Sequence, residues 1–196
     1  MSNPSLQSPL NRASKDKFIL ALSLPPILRR RASIDPSLDI EKVQISIYGA
    51  IVPPIIVPAI EVRFGGQSAN FSSHSRPNYP PLSINFVVDN DYSNYYVLWK
   101  WLALLNNPSS SLYDGTPSNR ASKQDIIENG SNTEYQTNLS VLALNEYNKT
   151  AVEFIYTNAF ITNLGGINYS YRDGDILETT ADFQYNQLEI IKHQPK

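Results

Sequence analysis

Phe160-Ile161-Thr162-Asn163-Leu164-Gly165-Gly166-Ile167-Asn168-Tyr169-Ser170-Tyr171, followed by Ile176-Leu177-Glu178-Thr179-Thr180-Ala181-Asp182-Phe183-Gln184-Tyr185-Asn186, decides the fold of this 196-residue chain. It reads as a connection with two glycines, a strand, a tight Asp173-Gly174-Asp175 turn and a long alternating strand. In that last strand Glu178, Thr180, Asp182, Gln184 and Asn186 share one face, and Thr179, Ala181, Phe183, Tyr185 and Gln187 share the other. Side chains alternate across a strand, so one wet face and one apolar face are expected.

The same period recurs upstream. Phe18–Leu22 is a first strand, ended by Leu24-Pro25-Pro26 because proline cannot donate to a ladder. Residues 27–41, with Arg29-Arg30-Arg31, read as a connection. Val43–Tyr48 alternates, with Val43, Ile45 and Ile47 on one side, and Ala59–Phe64 alternates again. Between them lies Val52-Pro53-Pro54-Ile55-Ile56-Val57-Pro58; Gly65-Gly66 then opens a polar stretch to Pro81. Leu82–Val88 is a strand, and Asp89-Asn90-Asp91 a turn. Asn94–Leu105 reads as a helix, capped by Ser93 or Asp91. Its stripes, Tyr95/Leu98/Trp99/Leu102/Leu105 and Tyr96/Val97/Trp101/Leu104, leave little polar surface, so it needs more than one packing partner. Residues 108–137 read as a long polar loop with a short helical piece at Lys123–Glu128. Leu139–Leu144 and Ala151–Tyr156 pair across Asn145–Lys149. The expected fold is mainly β: an antiparallel barrel or sandwich with one flanking helix, preceded by an arm over residues 1–15 and forming one domain over residues 16–192.

Composition narrows function. The formal net charge is −2, so no basic footprint for stable nucleic-acid binding is present. Cysteine is absent, which removes disulfides and thiolate metal sites. No window approaches the roughly 18 apolar residues of a membrane span, and the N-terminus lacks the apolar segment of a signal peptide, so the expectation is assembly in the cytoplasm without a membrane. His74 and His193 have no companion ligands in metal-binding spacing. Gly66-Gln67-Ser68-Ala69 lacks the Gly-X-Ser-X-Gly nucleophile elbow, and Gly165-Gly166 is not followed by the Lys-Ser/Thr of a phosphate loop. Arg29-Arg30-Arg31 reads as a solvated loop or a contact to a neighbouring subunit. No catalytic residue, cofactor or metal is expected.

Three segments carry a family resemblance. Asp16–Leu22 resembles the opening strand of the tail tube proteins of contractile-tailed bacteriophages. Leu82–Val88, its turn and the aromatic helix with Trp99 resemble that family's strand–helix step. Leu164-Gly165-Gly166-Ile167 through Tyr185 resembles its C-terminal connection and closing strands, with Glu178-Thr179 and Phe183-X-Tyr185 where the family shows Glu-Thr and an aromatic-X-Tyr pair. Ile161-Thr162 stands where proline is common, and Asn186 where an acid is frequent.

The resemblance implies a non-enzymatic virion protein. Its copies would form hexameric rings that stack into the tube conducting DNA, surrounded by a sheath and bounded by baseplate and terminator proteins, with only transient contact to DNA. A tube end ring, or a ring protein of a contractile injection system, is the alternative. Val52, Pro53, Pro54, Ile55, Ile56, Val57 and Pro58, or the 64–81 segment beside them, would form the stacking loop. Glu178, Thr180, Asp182, Gln184 and Asn186 would face the lumen, and Trp99, Trp101, Phe183 and Tyr185 would serve subunit packing.

Overall fold

The computed structural model describes residues 13–32, 43, 46–75, 79–105, 135–172 and 174–193, apart from the side chains of residues 30–32 and 104. The arm expected over residues 1–15 lies largely, and the 108–137 loop almost wholly, outside these residues. Strands β1 (Phe18–Leu22), β2 (Ile47–Ile51), β3 (Ala59–Phe64), β4 (Gln67–Ser72), β5 (Leu82–Val87), β6 (Thr137–Leu144), β7 (Thr150–Leu164), β8 (Glu178–Gln184) and β9 (Gln187–Lys192) join helices α1 (Pro26–Ala32) and α2 (Ser93–Leu105).

β7 organises the molecule. Its first part pairs with β6 on one side and β9 on the other, and its last part, Phe160–Leu164, pairs with β8. The main sheet therefore runs β1-β6-β7-β8-β5-β2, with β9 also on β7, and every pairing is antiparallel. It has two wings: β1-β6-β7-β9, here the first wing, and β7-β8-β5-β2, the second. Register shifts in β6–β7 and β7–β8, together with the left-handed Asn158 (φ 53°), mark the bend between them. Among the described residues no closed barrel forms: β1 and β2 end the strand order.

Both wings bury alternate residues in one core. Leu20, Leu22, Leu139, Val141 and Tyr156 come from the first; Leu82, Ile84, Phe86, Ala181 and Phe183 come from the second. α2 lays Asn94, Val97, Leu98 and Trp101 on that core, spaced at helical intervals. The Trp101 ring sits 5.6 Å from Phe183, and its indole N–H donates to the Tyr135 carbonyl at 3.0 Å. Asn94 is fully buried because its amide fastens the helix start: Nδ2 donates to the Val87 carbonyl at 2.7 Å, and Oδ1 accepts from the Asp89 N–H at 3.2 Å.

Four local expectations need correction. Residues 27–41 are not simply a connection: Pro26 opens α1, a position where its missing N–H costs nothing. The strand expected over Val43–Tyr48 lies later, as β2 at Ile47–Ile51; Val43 has helical backbone and is buried in the main core, and its carbonyl accepts from Ser46 Oγ at 2.9 Å. The stretch after Gly65-Gly66 contains β4, since those glycines, at φ 59° and 81°, supply the left-handed pair that a two-residue hairpin turn demands. No strand forms between Gly166 and the Asp-Gly-Asp turn. There the second edge of β8 is already taken by β5, so the alternation of Ile167, Tyr169 and Tyr171 has no ladder to join.

Candidate assembly surfaces

Four surfaces follow from this frame. The first is the hairpin β3–β4, in which every residue of both strands is exposed. Cross-strand partners share a face, so Ile60 with Phe71, Val62 with Ala69 and Phe64 with Gln67 make one side, and Glu61 with Asn70 and Arg63 with Ser68 the other. The hairpin is thus amphipathic, yet its apolar side stays exposed, with Phe64 at 88%. The segment leading into it continues the theme. Val52, Ile55, Ile56 and Val57 are all exposed, while Pro53 is buried.

The second surface is the outer face of the second wing. Thr179, Ala181, Phe183 and Tyr185 point into the core, so Glu178, Thr180, Asp182 and Gln184 point away from it. Asn186 lies just past β8, at the corner where its N–H donates to the Thr157 carbonyl. Asp182 is held by neutral donors on both sides: Ser83 Oγ at 2.5 Å to Oδ1 and Asn163 Nδ2 at 2.9 Å to Oδ2. Glu178 accepts from the Tyr48 hydroxyl at 2.8 Å, a bond that raises the Tyr48 phenol above its ordinary pKa, with burial adding to the shift. None of β2, β5, β7 or β8 contains a lysine or arginine. The face is polar, hydrogen-bonded and acidic.

The third surface is made of unpaired edges. Among the described residues β1 and β9 bound the first wing, and β2 and the last part of β7 bound the second. Such edges present free backbone groups to another chain.

The fourth is the aromatic set singled out for subunit packing. Trp101, Phe183 and Tyr185 lie inside the subunit core, where the Tyr185 ring meets Tyr156 at 4.8 Å and Tyr79 at 5.4 Å. Trp99 is 46% exposed and stacks on Tyr96. Among the described residues no three potential metal ligands converge, and no helix is long and apolar enough to cross a membrane. Sequence reasoning missed the hairpin's second strand, although Gly65-Gly66 between alternating residues was its signal.

The family model for the phage tail tube protein matches residues 13–190. The chain belongs to that family. Tail tube proteins are structural components, so the chain is a structural tail protein and not an enzyme. Its fold is similar to that of the anti-feeding prophage tube terminating cap, at a TM-score of 0.59 and 14% identity over 98% of this chain and 97% of that one. A chain of the sheath–tube complex of the PVC extracellular contractile injection system gives a TM-score of 0.59 at 12% identity, covering 98% of this chain and 100% of that one. A chain of the PVC sheath/tube terminator gives 0.56 at 13%, covering 95% and 99%. No curated protein matches.

Proposed function

We propose that this tail tube protein is the tube-body subunit. Its copies close edge to edge into hexameric rings with the second wing's outer face turned to the lumen, and the rings stack through the β3–β4 hairpin and the Val52–Pro58 segment ahead of it. One observation carries the reading: a two-stranded hairpin is marginal in water by itself, and this one holds its apolar side outside its own subunit. Full burial of an Ile, Val or Phe side chain contributes roughly 1.5–3 kcal/mol. Association costs an estimated 4–15 kcal/mol. Since most of the hairpin's apolar residues start about half-exposed, they only begin to offset that cost, which is why the four exposed aliphatic side chains Val52, Ile55, Ile56 and Val57 and the free strand edges belong to the same assembly. The prolines of 52–58 lower the entropy lost on docking.

The lumen assignment rests on charge. An acidic wall without lysine or arginine releases no counterions from DNA and so does not grip it. A conduit needs that property. Assembly with a sheath, a baseplate and a terminator, and a virion tail location, follow from the same reading.

Electron microscopy of the purified protein at high concentration, with its solution mass, tests this. Hollow rings or filaments with six subunits per turn are expected. A monomer at every concentration overturns the tube-body reading and favours an end ring, a reading supported by the equal fold similarity to a terminating cap; binding to isolated tail parts would then be measured.

A further inference from the structure

The first wing has an outer face unlike that of the second. Register aligns Ile19 of β1 with Leu142 of β6, Glu153 of β7 and Ile191 of β9, and aligns Ala21 with Ser140, Ile155 and Glu189. The intervening rows, Leu20/Val141/Phe154 and Leu22/Leu139/Tyr156, fill the core. Ile19, Ala21, Leu142 and Ile155 therefore neighbour one another along rows and diagonals of the face that points away from the core, with Ile19 47% exposed and the other three half-buried. An antiparallel sheet with one solvated face ordinarily alternates to polar there. This wing does not.

We infer that this patch receives the apolar side of the β3–β4 hairpin from a second copy of the chain. The inference rests on the tube reading and names the receiving surface within it. Two flat, largely apolar elements on one chain, neither paired face to face with another strand among the described residues, are matched in kind: a two-stranded ribbon laid on a sheet packs at about 10 Å, like any pair of β layers. The charges of the hairpin stay clear of the contact, because Glu61 and Arg63 lie on its opposite side and pair with each other at 3.5 Å. On the receiving wing the acids lie toward β9, and Glu153 is met by His193 Nε2 at 3.3 Å. The second wing is a poor receiver by comparison. Docking Phe64 there would strip water from the carboxyl groups of Glu178 and Asp182, which accept from the neutral donors Tyr48, Ser83 and Asn163. Donor and receiver are different patches, so each copy bears both and the contact repeats without closing on itself.

The absence of cysteine gives a clean test. Val62→Cys, Leu142→Cys and Thr180→Cys are made singly, each with a different mass tag. Val62→Cys is mixed with either of the others under assembly conditions and treated with a short bis-maleimide, since layer spacing is too wide for a direct disulfide. Linking of Val62→Cys to Leu142→Cys should exceed linking to Thr180→Cys several-fold. Equal linking, or preference for Thr180→Cys, overturns the inference. Micrographs of the same samples separate the two readings: rings or filaments without the Val62–Leu142 link sink this docking surface and leave the tube intact, whereas no assembly and no link sinks both. Ile19→Ser and Phe64→Ser, at exposed positions that leave the subunit folded, give a second measurement. Each should lower the sedimenting fraction, and the double variant should fall no further than the worse single, because both remove one contact. No loss in either single, or full additivity, overturns it.

Discussion

At the residue scale the core holds an unusual pair. The Tyr156 and Tyr185 rings meet edge to face at an interplanar angle of 78°, and both hydroxyl oxygens are buried without a hydrogen-bond partner. A buried hydroxyl without a partner costs about 1–3 kcal/mol, so Tyr185→Phe should leave the melting temperature unchanged or raise it. Urea unfolding of the variant measures this, and a clear loss of stability would expose a partner that matters. Burial pushes the Tyr185 phenol up to about 12, with Tyr79 adding to it, and raises Tyr156 further from its ordinary value. The folded state thus holds these protons more tightly than the unfolded one. Their contribution is fully present below pH ~10 and is lost as pH rises through the folded values. Unfolding free energy should fall across the alkaline range, and Tyr185→Phe should flatten that fall. The two tryptophans divide just as sharply. Trp101→Ala should cost about 3–5 kcal/mol as a cavity mutation, while Trp99→Ala, on the exposed side of α2, should change subunit stability by less than about 1 kcal/mol. Thermal melts of the two variants compare them directly, and any larger effect of Trp99→Ala should appear in assembly.

At the element scale, what the sequence reveals depends on where an element finds its partner. β1, β3, β5 and α2 were legible because each carries its own period: Leu82, Ile84 and Phe86 alternate inward without a break. β4 was obscured because Gln67, Ser68 and Asn70 have no subunit core to face, so no apolar rhythm marks them. β2 was displaced because Val43 continues its apolar spacing while being buried off the sheet. β7 was read too short, since its second half alternates against β8 after a bend that reverses which residues are buried. Of the candidate surfaces, the polar face of β8 was legible from residue alternation, but the free apolar side of the hairpin was not, because its registration needs both strands. Gly165 shows the tightness at the end of β7. A Cβ there would lie 2.7 Å from Thr179 Oγ1 and 3.1 Å from the Thr180 backbone N. Gly165→Ala should therefore destabilise by about 1–3 kcal/mol, read by chemical denaturation; an unchanged midpoint would show that the β7–β8 end can open at no cost.

At the scale of the whole molecule, subunit and assembly are separable. The main core draws on both wings and α2, and the hairpin contributes none of the core residues. Replacing residues 59–72 with a short Gly-Ser link should leave far-ultraviolet circular dichroism and cooperative melting near wild type while abolishing sedimenting assemblies. Filaments from the shortened chain would remove the hairpin from the stacking contact. β7 also has a mechanical consequence. One unbroken strand of 15 residues passes through both wings, clamped by β6 and β9 at one end and by β8 at the other. A shear between the wings must deform this strand and the short Tyr185-Asn186 link from β8 to β9, which also crosses between them. Load entering at one wing is therefore delivered to the other through main-chain bonds, and a tube twisted by its surroundings would yield between subunits before it yields within one.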